Sequence, residues 1–558
     1  MQPANASVPA RRRFRLRFDF WTAVTAVSLL ICLVFLIYPL FHILVNSFVQ
    51  EGRLDLSHYE TFFKYKYYYS ALLNSFIVSS VTTVLACLIG VPLAYVMTRY
   101  NVPCKGLIQI LIILTLMSPP FIGAYSWILL LGNNGFLTQL FSGMGLPVKS
   151  IYGLHGMILA FTMQYYPHIY LYVSGALKSV DASLEEASAS LGVYGWRRVM
   201  KITLPLIFPT LSTGALMVFM ASFSDFGTPM LLGQGVKLLP VLAYEEFISE
   251  MGTDPAMAST ISMVLLAITT SLLGLQRYMI SKKSYAMSML RPPAVRVLKL
   301  PARVLATAFV ALIVGVSMIP QATVIITSFQ KRNGPVLLRE FSLDSYKEIL
   351  YRVPRSILNT FTFSSVAIVL MIILGLLMSY VIVRRKSRLT ALLDSLLMIP
   401  YVMPGTVMGI SLIIAFNKPP IVLTGTWVIL VVAYVIRKLP YTIRSSTAIL
   451  YQVDKSVEEA SLSLGVPPMK TFFRTTAMLM LPGVMSGAVL SWITTINELS
   501  STIVLYYGAT ATITVTIYGE VINANFGPAA ALSSILSVST VISLVIANKL
   551  SRNRGLRV

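Results

Sequence analysis

SLEEASASLGV, residues Ser183 to Val193, returns 273 positions later as SVEEASLSLGV, residues Ser456 to Val466, with nine of the eleven positions identical. Such an acidic, serine- and alanine-rich phrase is out of character for a chain of 558 residues that is 56% hydrophobic and only 12% charged. Ser183-x-x-Glu186 and Ser456-x-x-Glu459 fit a capping box, in which the hydroxyl and the glutamate close the first turn of a helix. Acidic residues in that turn also suit the helix macrodipole. Gly192 and Gly465 stand where such a helix stops in a left-handed C-cap. Each copy therefore predicts a short helix with a defined start and stop.

The surroundings of both copies belong in lipid. Soluble domains carry about 25% charged residues, and charge-free windows such as Trp21–Gln50, Ala71–Thr98 and Ser356–Val383 recur along this chain. Each exceeds the roughly 20 apolar residues that cross a bilayer as a helix. Their apolar runs are continuous rather than alternating, which excludes a β-barrel. The prediction is an all-α polytopic membrane protein with twelve transmembrane helices. Six spans fall near 21–48, 71–98, 106–131, 151–177, 207–232 and 257–280, and six near 304–329, 356–383, 390–416, 421–450, 477–505 and 527–549. The domain reading is a basic N-terminus (1–20), a first six-span unit (21–281), a linker (282–303), a second unit (304–550) and a basic C-terminus (551–558).

The net charge of +23 is carried by clusters such as Arg11–Arg17, Arg197/Arg198/Lys201, Arg384–Arg388 and Arg552–Arg557. These lie between or beside spans, so the positive-inside rule places both termini and both copies of the phrase in the cytoplasm. Membrane lipid headgroups, not nucleic acid, are the partners this placement implies. Cys32, Cys87 and Cys104 are too widely spaced for a disulfide framework or a zinc motif. The four histidines, His42, His58, His155 and His168, show no ligand spacing and are read as loop or interfacial residues.

The halves repeat elsewhere too. LLNSFIVSS (Leu72–Ser80) matches ILNTFTFSS (Ile357–Ser365), and Pro119, Pro167 and Pro209 have counterparts in Pro400, Pro440 and Pro482. An even number of spans per half inserts both the same way up, as parallel repeats.

Glu186-Ala187-Ser188, three residues, Gly192, nine residues, Ile202, Thr203 and Leu204-Pro205 resemble the EAA-x3-G-x9-I-x-LP loop of binding-protein-dependent ABC importer permeases. Glu459-Ala460-Ser461-x3-Gly465 shares the core, but Thr475, Ala477 and Met478 stand where Ile, Leu and Pro would be. The second loop is therefore expected to leave its helix differently. Nearly the whole chain resembles two fused six-span units of the type I importer permease fold. The resemblance implies an ATPase-coupling role for Glu185, Glu186, Ala187, Ser188 and Gly192, and for Glu458, Glu459, Ala460, Ser461 and Gly465. It further implies two ABC ATPase subunits on the cytoplasmic side, an extracytoplasmic solute-binding protein and a bacterial inner-membrane location. The dipeptide Gly-Lys never occurs, so a Walker P-loop must come from another subunit. No cofactor is expected on this chain; ATP and Mg2+ belong to the ATPases.

Three acids fall inside the spans: Asp225, Asp394 and Glu498. Ionisable groups there mark transport paths by default. Asp225 plus 273 is 498, so two of the acids are repeat-equivalent; with Asn497 they are the candidates for the translocation path. Gly227 and Pro229 predict a locally broken helix beside Asp225, lining a cavity. FSDFGTPMLLG (223–233) and INELSSTIVLYYG (496–508) look most like fused permeases for ferric iron. Relatives for hexose phosphate, aminoalkylphosphonate or polyamine remain alternatives, as does an ion-coupled secondary transporter.

Overall fold

A computed structural model describes residues 19–50, 52–146, 149–248, 254–282, 295–334 and 336–552. The basic segment Arg11–Arg17, most of the linker and the tail beyond residue 552 lie outside the described residues. The first half runs α1 (Phe20–Phe48), α2 (Lys66–Arg99), α3 (Lys105–Met117), α4 (Pro120–Leu131), α5 (Leu154–Ser179), α6 (Ala182–Ser190), α7 (Leu204–Ser224) and α8 (Pro255–Lys282). The second runs α9 (Leu300–Ser328), α10 (Pro354–Arg384), α11 (Arg388–Leu396), α12 (Gly405–Phe416), α13 (Trp427–Gln452), α14 (Ser456–Ser463), α15 (Ala477–Ile496) and α16 (Phe526–Arg552). Two antiparallel hairpins come after α1 and α9: β1 (Val49–Gln50) with β2 (Arg53–Leu54), and β3 (Gln330–Asn333) with β4 (Val336–Phe341). The order of elements thus repeats from half to half.

Among the described residues eight helices are long and apolar enough to cross a membrane, or ten if two bent pairs each count as one span. The bent pairs fall in the third spans expected near 106–131 and 390–416. The chain turns by 98° after α3, at Pro119, and by 113° before α12, at Pro404. Proline lacks the N–H that would continue the ladder, and it disfavours helical backbone in the residue before it. Two further long helices, α5 and α13, have 26 residues each. That is about 39 Å, enough to span, at 1.5 Å per residue, yet neither is apolar enough to be counted. α5 packs on α2 and α7, and α13 on α10 and α15. A helix shielded by neighbours need not match lipid in hydropathy.

The halves interlock. α1 of the first half packs on α10, α11 and α12 of the second, while α9 packs on α3 and α4 of the first. Trp21, 3% exposed, packs against Tyr380 and, edge to face, Phe472 at centroid distances of 4.2 and 4.8 Å, and Arg385 pairs with Asp19 at 2.9 Å. From the other side, Ser317 meets Tyr166 at 2.9 Å, and Gln321 donates to Ser118 Oγ at 2.8 Å. The hydrophobic core is accordingly continuous from one half to the other.

The second repeated phrase has a backbone reason. Asn74 Nδ2 donates to Lys237 O at 3.3 Å, and Asn359 Nδ2 to Ala509 O and Ala511 O at 3.0 and 2.9 Å. Ser75 Oγ accepts from Leu239 N at 3.0 Å, and Thr360 Oγ1 from Ile513 N at 2.8 Å. Each Asn-Ser/Thr pair fixes an irregular loop to a long helix. Polar backbone that has left its helix needs such partners within the bilayer.

Candidate translocation cavity and coupling helices

Four helix breaks meet at one cavity of about 440 Å³ between the halves. Two are the proline turns: Met117–Phe121 and Tyr401–Met403 both contribute to its wall. The other two fall within the spans drawn through 207–232 and 477–505, at the acids where a locally broken helix is expected: α7 ends at Ser224 and α15 at Ile496. Asp225 and Glu498 sit in these breaks and line the cavity with Asn497. The helix from Gly195 to Ser224 has 30 residues, which sets Asp225 about 45 Å along the axis from its start.

Each acid closes the turn that leads into a short helix. Asp225 Oδ1 accepts from Thr228 N at 2.9 Å, and Glu498 Oε1 accepts from Ser501 N at 3.1 Å. Short helices start there, at Gly227–Leu232 and Thr502–Leu505. A carboxylate at a helix start satisfies donors that have no partner inside the helix. Close approach is built in: a Cβ on Gly405 would lie 2.5 Å from Ser500 Cβ and 2.9 Å from Arg437 Nη1. Only glycine admits that contact.

The acids differ in their partners. Asp225 receives the Tyr165 hydroxyl at 3.5 Å. Glu498, 6% exposed, is held by Lys438 at 2.7 Å and by Arg437 through an N–H···O contact. Because 165 plus 273 is 438, Tyr165 and Lys438 are repeat-equivalent, as are Gln164 and Arg437. Gln164 donates to Thr115 O and Ser118 O at 3.0 and 2.7 Å, satisfying carbonyls freed where α3 ends. Asp394 lies apart from this cluster, paired with Arg444 at 3.2 Å.

Both copies of the opening phrase are short helices, α6 and α14, but their caps differ from the expected capping box. Asp181, not Ser183, is the N-cap of α6, accepting from Ser183 N at 2.8 Å. Asp454 accepts from Ser456 N at 2.9 Å in the second copy, and that hydrogen bond holds its carboxyl below the usual range. Aspartate and serine serve about equally as caps, and the serine hydroxyls yielded to a carboxylate two residues upstream. Gly192 and Gly465 have φ of +77° and +79°, as a left-handed C-cap requires. Gly465→Ala is expected to cost about 1–2 kcal/mol through the left-handed backbone; a smaller loss in thermal denaturation of the detergent-solubilised chain would remove that assignment.

The exits from the two helices are alike, which corrects the expected asymmetry. Gly195–Arg198 and Pro468–Thr471 each form one turn, followed by π-helical turns at Val199–Thr203 and Phe472–Thr476 that lead into α7 and α15. Pro205 lies inside the continuous helix from Gly195 to Ser224, just past its π turn, and the second half forms the same π turn with Met478 at the corresponding place.

The model of the family described as "Binding-protein-dependent transport system inner membrane component" matches residues 87–285 and 371–555, most of the chain in two units. The chain belongs to this family. The ferric transport system permease protein FbpB of Actinobacillus pleuropneumoniae is 29% identical over 92% of this permease and 76% of its own length. The Fe(3+)-transport system permease protein FbpB 2 of Haemophilus influenzae is 24% identical over 86% of this permease and 89% of its own length. The molybdenum transport system permease protein ModB of Mycobacterium tuberculosis is 28% identical over 36% of this permease and 75% of its own length. The permease is thus a multi-pass inner-membrane subunit of an importer.

Within the permease, the residues singled out by sequence separate into exposed and inward-facing groups. Glu186, Ala187, Glu459 and Ala460 are exposed, as are Gly192 and Gly465, while Ser188 is buried and Ser461 half-buried, its hydroxyl 3.0 Å from that of Thr471. Glu458 turns inward instead, pairing with Arg384 at 2.8 Å and accepting from Tyr380 at 3.2 Å, and so anchors α14 to α10. The backbone of Glu185 lies in α6.

Two features escaped the sequence reading. Leu191 and Leu464, repeat-equivalent and within the duplicated phrase, are 82% and 84% exposed at the ends of α6 and α14. Arg437 and Lys438 stand inside the expected span 421–450, where two adjacent cations were signal enough. His168 also corrects its assignment: it lies inside α5 on the cavity wall.

Proposed function

We propose that this permease is the fused, twelve-span pore of an importer for ferric iron. α5 and α13 are the spans that complete the count, and the termini, α6 and α14 face the cytoplasm. Two ATPase subunits, which carry ATP and Mg2+, dock on the exposed faces of α6 and α14; the chain has no nucleotide site of its own. A binding protein delivers the ion at the opposite, hairpin-bearing end. Nucleotide-driven closure of the ATPases pulls α6 and α14 together and turns the cavity from one side of the membrane to the other. The observation that carries this reading is the convergence of four helix breaks and both repeat-equivalent acids on one cavity between the halves. Irregular backbone at membrane depth is tolerated where it lines a cavity, and transporters place their sites at such breaks. Iron is favoured because relatives named for ferric transport match 86% and 92% of the chain, against 36% for the molybdenum relative.

The test is ATP-dependent uptake of 55Fe into proteoliposomes holding the permease, its ATPase and its binding protein. The Glu186→Lys/Glu459→Lys double variant is expected to insert normally and lose at least about tenfold in uptake, a change of about 1.4 kcal/mol. Unchanged uptake and ATPase association in that variant would end the coupling assignment. Uptake of molybdate, hexose phosphate or aminoalkylphosphonate without 55Fe would end the iron assignment.

A further inference from the structure

The charges on the cavity wall constrain the form in which iron passes, an inference that rests on the iron reading above. Four charged side chains line the space, Asp225 and Glu498 against Arg437 and Lys438, so the formal charges cancel. Glu498 is moreover committed to both cations. A bare trivalent ion entering such a wall gains no net counter-charge for the hydration it gives up, and it meets two buried cations.

The unused hydrogen-bonding capacity has the opposite bias. Arg437 Nε and Ser224 Oγ are buried, have no hydrogen-bond partner among the described residues, and belong to cavity-lining residues. A guanidinium with a free N–H is suited to an oxyanion, which it binds by strong charge-assisted hydrogen bonds. The polarity is also divided between the halves. The first half contributes Asp225 and the Tyr165 phenol, hard oxygen groups that suit a ferric ion; the second contributes the two cations.

We propose that the cavity takes ferric iron together with an oxyanion ligand (a carboxylate, phosphate or carbonate), with the anion against Arg437 and Lys438 and the metal toward Asp225 and Tyr165. The cations of α13 are then the anion subsite, and the repeat asymmetry between Tyr165 and Lys438 is what builds it.

The experiment uses the full importer in proteoliposomes, with 55Fe and one of 32P-phosphate, 14C-citrate or 14C-bicarbonate as the only multivalent anion outside. A voltage-sensitive dye tracks the membrane potential. The expected result is that one or more labelled anions enter with iron, and that fewer than three positive charges move per ion. Lys438→Gln is expected to lower iron uptake at least about tenfold, while Lys438→Arg retains anion co-import. The label that enters identifies the anion. Movement of three charges per iron with no labelled anion overturns the proposal, whichever anion is supplied. Entry of a labelled anion without iron overturns the iron reading and leaves the anion subsite standing.

Discussion

Glu498→Gln is expected to cost about 3–5 kcal/mol of folding stability, because removing one partner of a buried ion cluster leaves the rest uncompensated. The side chains of Glu498, Arg437 and Lys438 are 6%, 13% and 12% exposed, so two cations would be left side by side with little water to screen them. The amide oxygen can still accept from Ser501 N and Oγ, both at 3.1 Å, so the loss comes from the two stranded cations. The cavity wall at the break after α15 is expected to loosen with it, and import to stop. Asp225→Asn is the control at the equivalent position. Its partners are a phenol at 3.5 Å and a backbone N–H at 2.9 Å. An amide oxygen can still accept from both, so the loss is expected to stay near the ordinary value of one hydrogen bond, about 0.5–1.5 kcal/mol. Adding Lys438→Met to Glu498→Gln is expected to return part of the stability, since one stranded cation goes with its counter-ion. Thermal denaturation of the purified permease reads all three. A Glu498→Gln protein as stable as Asp225→Asn would refute the buried cluster.

What could be read in advance was whatever recurs with a chemical reason. The duplicated phrase marked α6 and α14 because a short helix needs its stop at Gly192 and Gly465 whatever surrounds it. Asn74 and Asn359 recur because each satisfies a loop carbonyl that the other half also leaves open. The equivalence of Asp225 and Glu498 came from the same register. The cap residues were not legible, since Asp181 and Ser183 are both chemically able to cap and only the backbone path chooses. Arg437 and Lys438 are not legible by the positive-inside rule, which holds for cations in loops but not for ones paired inside a bundle. The exchange of α1 and α9 between the halves was not readable at all. A continuously apolar helix carries no record of which neighbour covers it; that is settled by contacts such as Trp21 on Tyr380 and Ser317 on Tyr166.

The second large effect concerns the leucines rather than the glutamates of α6 and α14. Leu191→Asp and Leu464→Asp are each expected to weaken ATPase binding by about 2 kcal/mol or more, the size of an interface hot spot, which is about 30-fold per site. Both side chains are more than four-fifths exposed in the isolated chain. A single exposed leucine is ordinary; the prediction rests on its recurrence at equivalent positions within the duplicated phrase. Because neither leucine packs against its own chain, folding stability is expected to change by less than about 0.5 kcal/mol, as for other surface positions. The two effects therefore separate: denaturation unchanged, co-purification with the ATPase lost. Order matters as well. α14 is tethered to α10 through Glu458 and Arg384, a direct connection from the helix that carries Leu464 into a long helix of the second half. If that tether transmits force, Glu458→Gln is expected to keep ATPase binding and lower transport, the reverse of Leu464→Asp. Equal loss of binding in both variants would show that Glu458 belongs to the docking face and not to the link behind it.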